Sequence, residues 1–513
     1  MVTDRSRRLL LAQAAGLAGV ALTPAAWTAA AAQTRLADNP FTLGVASGEP
    51  LPDGVVLWTR LATRPLEIGA GMGSAPVEVR WEIAEDEGLK HSAGKGRTMA
   101  VAEAGHSVHI EVAGLKPGRD YWYRFMAGGH ASPVGRTRTA PALGAKVDRL
   151  RLAYSSCQKY SAGFYEAHAG IADEHPDLVL FLGDYIYEEA QQPGKGVRPH
   201  PVEEPVDIAG YRHRYAWYKA DPNLQASHAV APWMVIWDDH EVANDYGDDQ
   251  DRSNPDPAVF LKRRAAGYQA FYENMPLRRA QVPVGPQMLL YRSMAWGDLA
   301  GFQFLDTRQY RNHRTCDAIS DGKRIPMDCP ERLDPSRSLL GDKQEAWLRG
   351  QFAATKAKWN VLAQQYLMEQ FMTAIGKVGN DGWDGYPATR QRVLQAWQDN
   401  RVSNPVVLGG DIHCFFAGDL AAKPGGKPVA SEFVGGSIAS LGRVNTDIRA
   451  LVAGNPDLKF GDGETRGYGR VEITPKACEV TFRGVENALV ADSKVRDLAK
   501  FVVEDGQAGL KRA

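Results

Sequence analysis

Cysteine is scarce in this chain of 513 residues, with five in all, which excludes a secreted fold stapled together by disulfides and leaves stability to burial. Neither sign of charge is in excess. The 60 Lys and Arg residues stand against 61 Asp and Glu, so nothing in the balance argues for a nucleic-acid partner or a polybasic membrane anchor. No repeat at a solenoid period is present, and no G-x-S-x-G elbow surrounds Ser155 or Ser156, which argues against a seryl nucleophile. Disorder is excluded by an ordinary globular composition, 44% apolar and 24% charged, and the length implies two or three domains.

What is present begins at the amino end. Arg5-Ser6-Arg7-Arg8 precedes Leu9-Leu10-Leu11 and a small-residue apolar run that ends in Ala29 to Ala32. Its Ala and Gly content and Pro24 argue against a membrane span, and the pattern looks like a twin-arginine export signal over residues 1–32. The expected partner is the twin-arginine export machinery and the expected location periplasmic or secreted, with folding and cofactor loading completed first.

Residues 40–143 read as strands and turns. Val77 to Ile83 alternates strictly, as do Val108, Ile110 and Val112 and then Tyr121, Tyr123 and Phe125, with Pro117-Gly118 turning the chain between the last two runs. Leu115, that turn and a strand opening with tyrosine are similar to the tyrosine corner of immunoglobulin-like sandwiches, so a small all-β domain is expected. Glu49 and Arg60 lie in it as second-rank candidates for reaching across to a catalytic site. Cys316 and Cys329, much farther along, are the plausible disulfide pair, closing a loop worth roughly 2–3 kcal/mol.

From Arg149 the pattern changes to single apolar strands separated by helical stretches near 259–273, 342–355 and 387–400, which predicts an α/β (α+β) domain over 148–513. The strands end alike. Leu150 to Ser155 runs into Ser156-Cys157, Leu178 to Leu182 into Gly183-Asp184 and then Tyr187, and Trp233 to Trp237 into Asp238-Asp239-His240-Glu241 and then Asn244. Leu299 to Leu305 runs into Asp306-Thr307-Arg308, and Pro405 to Leu408 into Gly409-Gly410-Asp411-Ile412-His413. Strands buried on both faces show no alternation, and open α/β sheets carry their ligands at strand carboxyl ends. An insert over 191–228, rich in Tyr, His and Pro, is expected to cover that end.

A thiol, a phenol, several carboxylates, an amide and two imidazoles at these ends are the inventory of a two-metal hydrolase. Such a site needs one bridging carboxylate, hard oxygens for a second ion and a histidine free to move a proton. The motifs Ser156-Cys157, Gly183-Asp184-x-x-Tyr187, Trp237-Asp238-Asp239-His240-Glu241 and Gly409-Gly410-Asp411-Ile412-His413 together resemble the PhoD-type alkaline phosphatase and phosphodiesterase family, over nearly the whole mature chain.

That resemblance implies a calcineurin-like metallophosphatase core, a β-sandwich of two mixed sheets flanked by helices, behind the immunoglobulin-like domain. It also implies an Fe(III) and Ca(II) site. Cys157, Asp184, Tyr187 and His413 are the implied iron ligands, with Asp184 bridging, and Asp239, Asn244 and Asp411 the implied calcium ligands. Asp238 and Glu49 are competing oxygen donors. His240 is the expected general acid, Arg308 or Arg60 the expected neutraliser of phosphate oxygens, and Asp381 to Tyr386, with Trp383, the expected pocket rim. The expected reaction is hydrolysis of a small phosphate ester by a metal-bound hydroxide, without a covalent intermediate. A phospholipase D-like activity on phospholipid head groups is a second reading of the same site. A cell-surface binding protein with an inactive second domain is a third, against which the intact ligand motifs weigh.

Overall fold

The computed structural model describes residues 35–251, 256–316, 324–371 and 376–513, and the expected export signal lies outside the described residues. Two sheets pack face to face. The first has ten strands, and at its centre β1 (Val45–Leu51), β2 (Leu150–Ser155), β3 (Leu178–Leu182) and β4 (Pro232–Ile236) lie in the order β2-β3-β4-β1, parallel wherever they meet. The second has seven strands, with β5 (Ala300–Phe304), β6 (Trp359–Ala363) and β7 (Pro405–Gly409) as parallel neighbours. Every residue of β3 to β7 is buried, as strands covered on both faces require.

Side chains of the second sheet divide by parity. Phe302, Phe304, Val361, Ala363, Val406 and Leu408 join the core between the sheets, whereas Leu362 and Val407 face a separate core. That second core holds Leu348 and Phe352 from helix Gly341–Ala354 and Leu394 and Trp397 from helix Pro387–Asp399. On the other side, helices Glu166–Asp173, Ile208–Lys219, Pro222–Val230 and Pro257–Asn274 bury Ile171, Tyr215, Leu224 and Phe271. The expected mixed α/β architecture, two sheets between helices, is present.

The amino-terminal strands build a core of their own, in which Val79, Ile83, Tyr121, Tyr123 and Phe125 meet Val55 and Leu57. Tyr121 Oη accepts a hydrogen bond from Lys116 N at 2.8 Å, the bond of a tyrosine corner. One of the two sheets around this core is the ten-stranded sheet itself. Ser47 and Gly48 of β1 pair with Pro232 and Trp233 of β4, and strands Gly54–Arg60 and Ser107–Ala113 continue outward. Gly48 is required there, since a Cβ would stand 2.6 Å from Trp233 O. The insert over 191–228 forms helices that sink Tyr211, Tyr215 and Tyr218 into the main core, and it also reaches the carboxyl end of β3, where Tyr218 Oη accepts from Tyr187 N and Arg214 donates to Tyr187 O. Cys316 and Cys329 are joined by a disulfide.

Glu432, in the second sheet, is fully buried and accepts from Met368 N and Glu369 N. Burial pushes its carboxyl up to about 8 from 4.5. The folded state therefore holds a proton that the unfolded chain releases, and stability falls as pH rises through that window. Glu432→Gln is expected to flatten the fall in Tm between about pH 5 and pH 9, removing a loss of about 4 kcal/mol. A variant whose Tm falls in parallel with the parent would clear Glu432 of this role.

Candidate metal centre and active site

The carboxyl ends of β2, β3, β4 and β7 meet at one rim of the two-sheet stack. Cys157, Asp184, Asp411 and His413 follow these strands with φ of 59°, 56°, 60° and 57°, left-handed backbone that side-chain-bearing residues rarely adopt and that clusters at functional sites. Glycine makes the crowding possible. A Cβ on Gly183, itself at φ 106°, would lie 2.6 Å from Asp238 Cβ, and one on Gly410 would lie 2.3 Å from Ser156 Oγ.

Three groups of donor atoms result, each with its members within 4.8 Å of one another: Cys157, Asp184 and His413; Asp184, Asp239 and His240; and Asp238, Asp239 and Asp411. Asp184 belongs to two groups and so does Asp239, which makes the three one chain of sites. Tyr187 Oη lies 2.9 Å from Asp184 Oδ2 and 2.9 Å from His413 Nε2, and it accepts from Ser440 Oγ at 2.8 Å. His413 Nδ1 sits 2.9 Å from the carbonyl oxygen of Leu441, which can only accept. Nδ1 therefore carries the proton, and Nε2 turns its lone pair to the cluster. Asn244 lines the same cavity, and its backbone N donates to Glu188 Oε1 at 2.6 Å.

The electrostatics are those of a cation cradle. Burial raises the Asp184 carboxyl well above its ordinary range; His240 opposes the rise and Asp239, Asp238 and Glu241 reinforce it. Burial, then Asp239, pushes Asp411 up to about 8. The Cys157 thiol and Tyr187 phenol are raised by burial and then by Asp184. Asp239 goes the other way, because Arg308 and then His240 outweigh its burial and bring it to about 2. Among the described residues, Asp184 Oδ1, Asp238 Oδ2 and Asp239 Oδ1 are buried without a hydrogen-bond partner. Arg308 Nη2 stands 3.2 Å from Asp239 Oδ1 without hydrogen-bond geometry, so the distance there is an ion pair and no more. Buried anions in this state call for a cation, which would reverse each raised pKa. The donor types fit: thiolate, phenolate and imidazole suit a transition metal, and clustered carboxylates suit a hard ion.

A cavity of about 400 Å³ opens over these groups. Residues 152–482 match the model of the PhoD-like phosphatase family, and residues 26–141 that of the PhoD-like phosphatase N-terminal domain. The chain belongs to the PhoD-like phosphatase family. It is 42% identical over 526 residues to alkaline phosphatase D of Bacillus subtilis strain 168, spanning 99% of this chain and 89% of that protein. A solved structure of PhoD superposes with a TM-score of 0.89 at 42% identity, over 93% of each chain. An enzyme of phosphoric-ester hydrolysis is thus in hand, the metallophosphatase character of the family implies metal dependence, and the three donor groups could hold metal ions. No described helix is long and apolar enough to cross a membrane.

In this PhoD-like phosphatase the two arginines expected to meet phosphate do not reach the cavity. Arg308 is fully buried behind it, with Nε donating to Asp238 Oδ1 at 2.5 Å and Nη1 to Asp381 Oδ1 at 3.1 Å, so carboxylates already claim these donors. Arg60 lies outward of β1 and donates to Gly105 O, Arg212 O and Asn274 Oδ1. Glu49 is likewise remote, held by Arg292 Nε at 2.8 Å. Trp383, Asp381 and Asp384 do line the cavity, while Tyr386 turns into the second core and meets Arg311 Nε at 3.1 Å.

Of two carboxylates with structural roles, Glu188 has no counterpart in the sequence reading, and Glu241 figures there only as the last residue of its motif. Glu188 Oε2 is 2.6 Å from His240 Nδ1, and Glu241 accepts from Asp184 N, Tyr185 N and Asp238 N, clamping the ends of β3 and β4 together. The sole signal for Glu188 was its position directly after Tyr187.

Proposed function

We propose that this chain is an exported phosphatase and phosphodiesterase that hydrolyses small phosphate esters with Fe(III) and Ca(II). The observation that carries the reading is the orphaned pair Asp184 Oδ1 and Asp239 Oδ1, between a thiol, phenol and imidazole on one side and further carboxylates on the other. Cys157, Asp184, Tyr187 and His413 would hold the iron, with Asp184 shared. Asp239, Asn244 and Asp411 would hold the calcium, and the orphaned Asp238 Oδ2 makes that residue the alternative donor. Bound there, the ions supply Lewis acidity and lower the pKa of water. Metal content, rates on mono- and bis-(4-nitrophenyl) phosphate, and anomalous scattering at the iron edge test the reading together; an active protein without iron ends the Fe(III) assignment.

The chain's own part is proton management. His240 Nδ1 is held by Glu188, which leaves Nε2 to hand a proton to the departing alkoxide. Burial works against a charged His240, yet Glu188 first, then Asp239 and Asp184, raise its pKa well above the ordinary value. Glu188→Gln removes the largest favourable contribution, so the acid form is lost at lower pH. The expected outcome is a kcat reduced about 10- to 100-fold and an alkaline limb of the pH–rate profile moved downward. An unmoved limb would sever Glu188 from the proton.

The domain reading is an export signal over 1–32, an immunoglobulin-like domain over 40–143 and a catalytic domain over 148–513, with delivery by the twin-arginine machinery to the periplasm or medium. Its support is the Arg7-Arg8 pair with the apolar run behind it. A phospholipase D-like variant of the activity draws on Leu441, 64% exposed at the cavity, and Val444, 55% exposed beside it. Choline release from phosphatidylcholine decides it.

A further inference from the structure

The cavity of about 400 Å³ falls within the range that encloses a whole small molecule, more than the transferred phosphoryl group alone requires. Its lining includes two arginines, Arg324 and Arg443. Neither side chain makes an ion pair or hydrogen bond with a described residue, although Asp184, Asp239, Asp245, Asp381, Asp384 and Asp411 line the same space. Other arginines near the site behave in the opposite way: Arg308 and Arg311 are committed to Asp381, and Arg314 to Asp245.

Both unpaired arginines stand on braced backbone. Arg324 pairs in antiparallel register with Gly379, two residues before the Asp381 that Arg308 and Arg311 lock. The Cys316–Cys329 disulfide closes the segment carrying Arg324, and Arg332 ties Met327 O to Asp384 O. On the other wall, His413 binds Leu441 O, and Arg443 N donates to Gly463 O at 2.9 Å. The Arg443 guanidinium lies 5.9 Å from the ring centroid of Phe371, and Leu367, Phe371 and Leu441 give the cavity an apolar lining. A planar guanidinium fork matches phosphate oxygens, and an apolar lining suits the carbon skeleton between two anionic groups.

We propose that this outer wall is a leaving-group subsite for an alcohol that carries a second anion, with Arg324 and Arg443 as its specificity residues. The substrate class is bisphosphates and phosphodiesters bearing a further charged phosphate. The inference rests on the phosphatase reading above, and the test separates the two. Phosphate release by the metal-loaded protein is compared on propyl phosphate and propane-1,3-diyl bisphosphate, with 4-nitrophenyl phosphate as reference. The expected kcat/KM favours the bisphosphate about tenfold at low salt and less at high salt. In the Arg324→Gln/Arg443→Gln double variant the ratio falls to near parity, and in the corresponding double Lys variant part of it returns. Turnover of 4-nitrophenyl phosphate with no advantage for the bisphosphate, or an advantage that survives the double Gln variant, overturns the subsite alone. Failure on all three monoesters and on bis-(4-nitrophenyl) phosphate overturns the phosphatase reading and the subsite with it.

Discussion

Asp184→Asn is expected to abolish phosphate-ester hydrolysis, by a factor of about a thousand or more, and to reduce bound metal in the same preparation. Asp184 joins the Cys157–His413 group to the Asp239–His240 group, and Tyr187 occupies its Oδ2 while Oδ1 has no partner. An asparagine keeps the size and one oxygen but cannot supply the anionic oxygen shared between two ions. The fold should survive, because in metal-free protein the substitution removes a buried charge that its carboxylate neighbours already oppose. Metal per chain by elemental analysis, kcat on 4-nitrophenyl phosphate and a thermal melt are the three measurements. A variant with full metal and full activity would sink the two-ion reading.

Arg308→Met is expected to act on stability first, lowering the free energy of unfolding by about 3–5 kcal/mol. The guanidinium is wholly buried among Asp238, Asp239 and Asp381, and removing it strands three carboxylates in low dielectric. The charge that holds Asp239 near 2 disappears with it, so Asp239 takes up its proton at a higher pH. A phosphate-binding arginine would behave differently, raising KM and leaving the melt in place. Denaturant unfolding beside steady-state kinetics distinguishes the two, and an unchanged melt with a raised KM would return Arg308 to the substrate.

The contrast shows what a linear chain displays and what it hides. The Leu178–Leu182 strand and its Gly183-Asp184 end were legible because burial on both faces leaves an unbroken apolar run and a tight turn needs glycine. Donor type was legible for the same reason: a thiol, a phenol and carboxylates at successive strand ends have few other uses. Environment was not. Arg308 presents the same letters whether it faces phosphate or three aspartates, and Glu188 meets His240 from 52 positions away. Nor could polarity reveal that Tyr211, Tyr215 and Tyr218 lie in the core, leaving the rim to residues such as Asp381, Trp383 and Leu441. Tyrosine rings bury as readily as phenylalanine when the hydroxyl finds a partner, as Tyr211 Oη does in Val242 O.

The pairing of β1 with β4 has a bearing on how the protein is made. β1 leaves the ribosome early, but Pro232 and Trp233, its partners through Ser47 and Gly48, emerge only after β2 and β3 and the helices between. Until then the amino-terminal strands expose an unsatisfied edge, open to pairing with another nascent chain. Loop closure across so many residues is slow, and it ends at the strand that carries Asp238, Asp239 and His240. The end of β4, and with it the segment Asp238 to His240, is therefore fixed against β1 only after about 230 residues have been made.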